Sequence, residues 1–192
     1  MYAIGVVETL SIPLGILAGD QMLKTADVRL LSAQTVCAGK YIVVVAGEVA
    51  AVRSAASAGV ESAAHGLVDS LVIPNVDARV IRAMQGACDI GLVQAVGVVE
   101  TFSLACAIQV ADAAVKAAAV ELIEVRLGRG LGGKSFVILT GEVAAVRAAI
   151  DAGEHAENTE GLVVSSVVIP SPHRGAVDGD DEIPLSRGRA EN

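Results

Sequence analysis

The chain has 192 residues, 53% of them hydrophobic but only 2% aromatic, with no Trp and a formal charge of −8. That balance argues against nucleic acid as a partner. Phosphate backbones attract Lys and Arg, and single strands are usually held on aromatic platforms in a basic groove. Asp, Glu, Lys or Arg interrupts every apolar run before it reaches membrane-spanning length, so no membrane partner is expected either.

The predicted elements begin with a buried strand over residues 2–8, carried by Ile4, Val6 and Val7 and closed by Glu8. Ser11 is placed to cap a helix and Pro13 suits its first turn. That helix continues to about Thr25 on Ile16, Leu17, Met22 and Leu23. Strands follow over 28–36 and 40–46, the second rich in β-branched residues. Between them Cys37, Ala38 and Gly39 form a tight turn, in which glycine tolerates positive φ. An Ala-rich helix is predicted over 48–64 and a strand over 67–73. Pro74 stops that strand, and Asp77 starts a short helix through Met84. The order β-α-β-β-α-β is the split βαβ, ferredoxin-like arrangement. It recurs as a strand at 96–101, a helix at 103–117, a hairpin at 120–127 and 135–139, a helix at 142–155 and a strand at 162–169.

The second half also repeats the first in its letters. Gly47-Glu48-Val49-Ala50-Ala51-Val52-Arg53 returns unchanged at Gly141 to Arg147, Gly5-Val6-Val7-Glu8-Thr9 at Gly97 to Thr101, and Val72-Ile73-Pro74 at Val168 to Pro170. A repeat of this period fixes architecture before any single residue does. The offset grows from 92 to 94 to 96 along the chain, which places small insertions in loops of the second copy. The reading is α/β (α+β): one ferredoxin-like domain over residues 1–90, a second over 94–173, each large enough for its own core. A polar tail at 174–192 is expected to be mobile and solubilising.

Few residues suggest chemistry. Cys37, Cys88 and Cys106 form no CxxC pair, and no secretory leader is visible, which fits a reducing cytoplasm. Cys106 stands opposite Leu14 of the first copy and reads as core; Cys88 lies in the connection between copies and reads as structural. Cys37 is either an ordinary small hydrophobe in a turn or a ligand. Lys24 and Lys116 match between copies, as snorkelling helix ends or as contacts to a neighbour. Asp20 and Asp112 are explained by a solvated helix face. Glu8 and Glu100 read as structural carboxylates capping the turn that follows each strand. His65, His155 and His173 have no metal-binding spacing, and no Ser/His/Asp set or phosphate-binding glycine fingerprint appears. No enzyme is expected.

The doubled order of these elements resembles the bacterial microcompartment shell domain. The resemblance is carried by the Gly-Val-Val-Glu-Thr strands, Lys24 and Lys116, Gly39-Lys40 and Gly133-Lys134, the Gly-Glu-Val helix starts and the Val-Ile-Pro strand ends. It covers about residues 3–85 and 95–173. It implies a tandem, unpermuted shell protein assembling as a homotrimer that mimics a hexamer. Such tiles pack against other shell proteins at their edges and can enclose enzymes, in a cytoplasmic microcompartment. The resemblance further implies a central pore for metabolites, lined by Val36, Cys37, Ala38 and Gly39 of one turn and Arg129, Gly130, Leu131 and Gly132 of the other. Lys24 and Lys116 would make the edge contacts. The Thr-Val-Cys-Ala-Gly-Lys turn is similar to that of the cysteine-bearing branch from propanediol-utilising microcompartments. There it implies a [4Fe-4S] cluster held by Cys37 of three chains, for electron transfer. The arginine that many shell domains carry after the last strand is missing, since the copies read Pro74-Asn75-Val76-Asp77 and Pro170-Ser171-Pro172-His173. The alternative from the fold alone is a trimeric ferredoxin-like small-molecule-binding or regulatory protein.

Overall fold

A computed structural model of the chain describes residues 2–88, 91, 93–128 and 130–173. The first copy runs β1 (Ala3–Thr9), α1 (Ile12–Thr25), β2 (Arg29–Val36), β3 (Lys40–Gly47), α2 (Val49–Ala63), β4 (Leu67–Ile73) and α3 (Ala78–Met84). The second runs β5 (Ala95–Thr101), α4 (Leu104–Ala117), β6 (Val120–Leu127), β7 (Ser135–Gly141), α5 (Val143–Glu154) and β8 (Val163–Pro170). The strand orders are β2-β3-β1-β4 and β6-β7-β5-β8, antiparallel throughout. Each is the ferredoxin-like order, with the Gly-Val-Val-Glu-Thr strand central in its sheet.

Pleating separates the two faces of each sheet. In the first, Val7, Val43 and Val45 face the helices and join Ala18, Met22, Ala55 and Ala63 in one cluster. Small residues let the helices lie close. A Cβ on Gly15 would stand 2.5 Å from Tyr41 Cβ, inside any tolerable contact. The other face carries Ile4, Val6 and Glu8, and all three are buried as well.

Two local expectations change. Ser11 sits at the N-cap of α1, but its side chain makes no cap bond; instead Thr9 Oγ1 donates to the Ser11 carbonyl at 2.9 Å. In the 37–39 turn Ala38 (φ 63°) as well as Gly39 (φ 72°) is left-handed. A side-chain-bearing residue there costs about 1–2 kcal/mol, so the turn is held by its surroundings.

The described residues divide into two compact units that do not coincide with the two copies. The first unit is copy one up to Val76, joined by Ser103–Ala105 and Gly128–Lys134 from copy two. The second unit takes the rest, including α3. Each unit therefore contains a junction between the repeats. The expected tail at 174–192 lies outside the described residues. Among the described residues no helix is long and apolar enough to cross a membrane.

Candidate functional site

Within the first unit, the β2–β3 turn meets the β6–β7 turn of the other copy. Cys37 N–H donates to the Gly128 carbonyl at 2.7 Å, and Gly130 N–H donates to Cys37 Sγ. Gly133 has φ +91°, and a Cβ there would lie 3.4 Å from that of Ala38. Glycine suits both the backbone angle and the close approach. Lys134 N–H closes the second turn on the Leu131 carbonyl at 3.2 Å. Val36 is buried at the base of the first turn, Cys37 is half-buried, and Ala38, Gly39 and Gly130 are exposed. Leu131 is half-buried and Gly132 exposed. Arg129, the remaining candidate, lies outside the described residues.

Beneath these turns is a buried ion pair. Lys40 Nζ donates to Glu8 Oε1 at 2.7 Å and to the Gly133 carbonyl at 3.3 Å. The other carboxylate oxygen of Glu8 accepts from Leu104 N–H at 2.8 Å. Glu8 therefore caps α4 of the second copy, not the turn after its own strand. Burial pushes the Glu8 carboxyl above its ordinary value, opposed by Lys40 and the Leu104 N–H. Sequence reasoning missed this linkage. Glu8/Glu100 and Lys40/Lys134 recur in both copies, and charges repeated on otherwise apolar sheets are a signal of buried pairing.

In the second unit, the residues after β4 clamp α4. Asp77 N–H donates to Asp112 Oδ1 at 2.8 Å. Arg79 grips Asp77 through Nε (3.0 Å) and Nη2 (2.9 Å). Its fork also reaches the carbonyls of Val115, an acceptor that the end of α4 leaves open, and of Val120 at the start of β6, each at 2.9 Å. The Arg79 guanidinium holds Asp77 down at a pKa of about 2. Asp112, expected on a solvated face, is instead buried, its carboxylate accepting the Asp77 N–H.

The remaining candidates sit apart from the turns. Lys24 pairs with Asp20 at 2.7 Å on an exposed helix face. Lys116 pairs with Asp112 and is partly exposed. Cys106 is buried in α4, and Cys88 is half-buried with its thiol pushed up by burial. Among the described residues no cluster of three or more His, Cys, Asp or Glu is arranged for a metal ion. Each chain thus brings one thiol, Cys37, to these turns. That thiol is accessible and accepts a backbone N–H, the kind of donor that tunes sulfur ligands in iron–sulfur sites. One thiol per chain does not make a cluster site by itself, so a cluster here would need thiols from further chains.

A model of the BMC domain matches residues 3–76 and again residues 95–172. The chain belongs to the BMC-domain family of microcompartment shell proteins. It is a tandem-domain member closely related to the PduT type, structural rather than enzymatic. The bacterial microcompartment shell protein PduT of Citrobacter freundii is 44% identical over 171 residues, 89% of this chain and 93% of that one. The shell protein PduA of Salmonella typhimurium is 47% identical over 81 residues, 42% of this chain and 83% of its own. The crystal structure of a microcompartment protein from Desulfitobacterium hafniense DCB superposes with a TM-score of 0.82 at 49% identity, covering 91% and 97% of the two chains.

Proposed function

We propose that this BMC-domain protein is a facet tile of a cytoplasmic microcompartment shell. Three chains assemble so that six domains surround an axial pore. The turns at 36–39 and 129–132 form its wall, and Lys24 and Lys116 contact neighbouring tiles, including other shell proteins; enzymes lie within the shell. The observation that carries this reading is the bonding of the two turns to each other inside one unit, Cys37 to Gly128 and Gly130 to Cys37. The turns of both copies thereby converge on one place, as a shared pore wall requires.

At that wall Cys37 supplies a soft thiolate of the kind iron–sulfur clusters select. Gly130 N–H donates to that sulfur, and Lys40 fixes the second turn through the Gly133 carbonyl. A [4Fe-4S] cluster bound by three such thiolates supplies one-electron transfer across the shell. The test is anaerobic purification with iron and sulfide counted per trimer. Iron should be bound by the native protein and lost in Cys37→Ser, while Cys88→Ser and Cys106→Ser retain it and every variant stays trimeric. A native trimer that takes up no iron on anaerobic reconstitution removes the redox role and leaves the turns as the wall of an open metabolite pore.

A further inference from the structure

One helix start is identical in both copies, in residues that packing does not account for. Over their fourteen positions α1 and α4 share only Ile16/Ile108, Asp20/Asp112 and Lys24/Lys116, whereas Gly47 to Arg53 returns unchanged at Gly141 to Arg147. Part of that identity is structural. Val52 and Val146 are wholly buried, and a Cβ on Gly47 or Gly141 would stand 3.4 Å from the Asp27 carbonyl or 3.0 Å from that of Ala119. The charges have no such reason. Glu48 and Glu142 hold the N-cap positions of α2 and α5 without a side-chain cap bond, and Arg53 and Arg147 stand in the second turn. All four are exposed, and among the described residues none of their side chains makes a hydrogen bond or ion pair. Five residues apart, Glu and Arg of one helix do not face each other. The helix dipole favours the glutamate at this end, but nothing within a copy calls for the arginine. Charge nearby is free to change: Arg29 of β2 and Glu121 of β6 are equivalent by register, pairing with Ala46 and Thr140.

The strands place these helix starts. β3 leaves the first turn at Lys40 and reaches α2 through Gly47; β7 follows the second turn from Ser135 and reaches α5 through Gly141. Each start therefore lies one strand length, about 20–25 Å, from the turns. With the turns at the pore wall, both starts face the rim of the tile. We propose that two tiles of this chain meet edge to edge through them, Glu48 or Glu142 of one tile pairing with Arg53 or Arg147 of the next, and the reverse pair forming about a local twofold. A twofold contact is isologous: residue i meets j, and j meets i. A glutamate and an arginine staggered by about 7.5 Å along a helix complement a second copy of themselves in that way. Ala50 and Ala144, exposed between the charges, keep bulk out of the approach. Because both copies carry the same set, an edge of either copy can join an edge of either copy on the next tile. A tile with unequal halves thereby presents equivalent charge contacts on all its sides.

This rests on the tile reading, and the experiment separates the two. Two variants are compared with the native chain, Glu48→Lys/Glu142→Lys and Arg53→Glu/Arg147→Glu, all at exposed positions. In high salt each should have a native mass of three chains. At low ionic strength, where exposed charges are least screened, the native trimer should associate further, read by light scattering and as sheets by electron microscopy. Each variant alone sets like charges against each other across the edge and should stay at three chains. An equal mixture of the two variants should associate again, because every altered residue then meets the opposite charge. A role confined to the fold of one chain gives no such mutual rescue. Native trimers that stay at three chains in low salt, variants that associate as the native chain does, or a mixture no more associated than either variant overturn the edge contact and leave the trimer standing. A single-chain mass overturns the tile reading and the contact with it.

Discussion

Lys40 Nζ lies 2.7 Å from Glu8 Oε1, with the Glu8 side chain wholly buried and that of Lys40 nearly so. The pair ties the central strand of one copy to the second copy at two points, the Gly133 carbonyl and the Leu104 N–H. Burying two charges is costly, and such a pair often adds little net stability over an apolar replacement. What it fixes here is position: it sets the second turn against the first.

Lys40→Met leaves the Glu8 carboxylate buried and unpaired. A loss of about 3–5 kcal/mol is expected by chemical denaturation, with much of it recovered in the Lys40→Met/Glu8→Gln double variant. If the double variant is as unstable as the single, the lysine acts through packing and not through charge.

The pH dependence follows from the raised Glu8 value. Folded Glu8 holds its proton more tightly than it does unfolded, so its contribution is fully present below the ordinary value of 4.5 and is lost as pH rises through the folded value. Removing Lys40 raises the folded value further. The deficit of Lys40→Met should therefore be smallest at acid pH and grow above about pH 4.5, read from denaturation midpoints across pH. A deficit flat in pH contradicts a buried carboxylate at this position.

Asp77 behaves in the opposite sense. Its pKa is lowered from 3.8 to about 2 by Arg79, so its stabilisation is present above 3.8 and is lost as pH falls through 2. The shift corresponds to ~2 kcal/mol. Asp77→Asn should remove that acid-labile part, seen as a shallower loss of stability between pH 4 and 2 than in the native protein. Arg79→Lys should cost about 1–3 kcal/mol near neutral pH, because lysine cannot hold Asp77 and the Val115 and Val120 carbonyls together.

Element order was legible because most strands are short apolar runs, several of them ending at glycine or proline, and because the repeat supplied a second reading of nearly every element. The contacts joining the copies were not. Asp112 has Lys116 four residues on, the spacing of an ordinary solvated pair; its backbone donor is Asp77, 35 positions earlier. Glu8 reaches Leu104 across 96 positions, a distance on which local periodicity is silent. Ala38 shares its turn with a glycine, which drew the expectation of positive φ to Gly39 alone. Cys37 was singled out by its turn, but the Gly128 and Gly130 partners depend on how the second copy folds back.

Gly15→Ala tests the close packing of α1 on its sheet. The new methyl would meet Tyr41 Cβ at 2.5 Å, an atom at the root of its side chain that cannot swing away. Overpacking of this kind costs about 1–3 kcal/mol. A thermal midpoint equal to that of the native protein contradicts the packing described.

Lys24→Ala/Lys116→Ala should leave the assembly intact: the Lys24–Asp20 pair is exposed and contributes little, and Asp112, buried beside Lys116, keeps the Asp77 N–H. Co-expressed with other shell proteins, the variant should enter purified shells less than the native chain does. Equal incorporation returns both lysines to the role of solvated helix ends.

The measurement that bears most directly on the central claim, a trimeric tile with both turns at one pore, is the native mass of the purified chain. The account predicts three times 19.4 kDa, unchanged in Cys37→Ser. A stable single chain, or a ring of six chains, contradicts it.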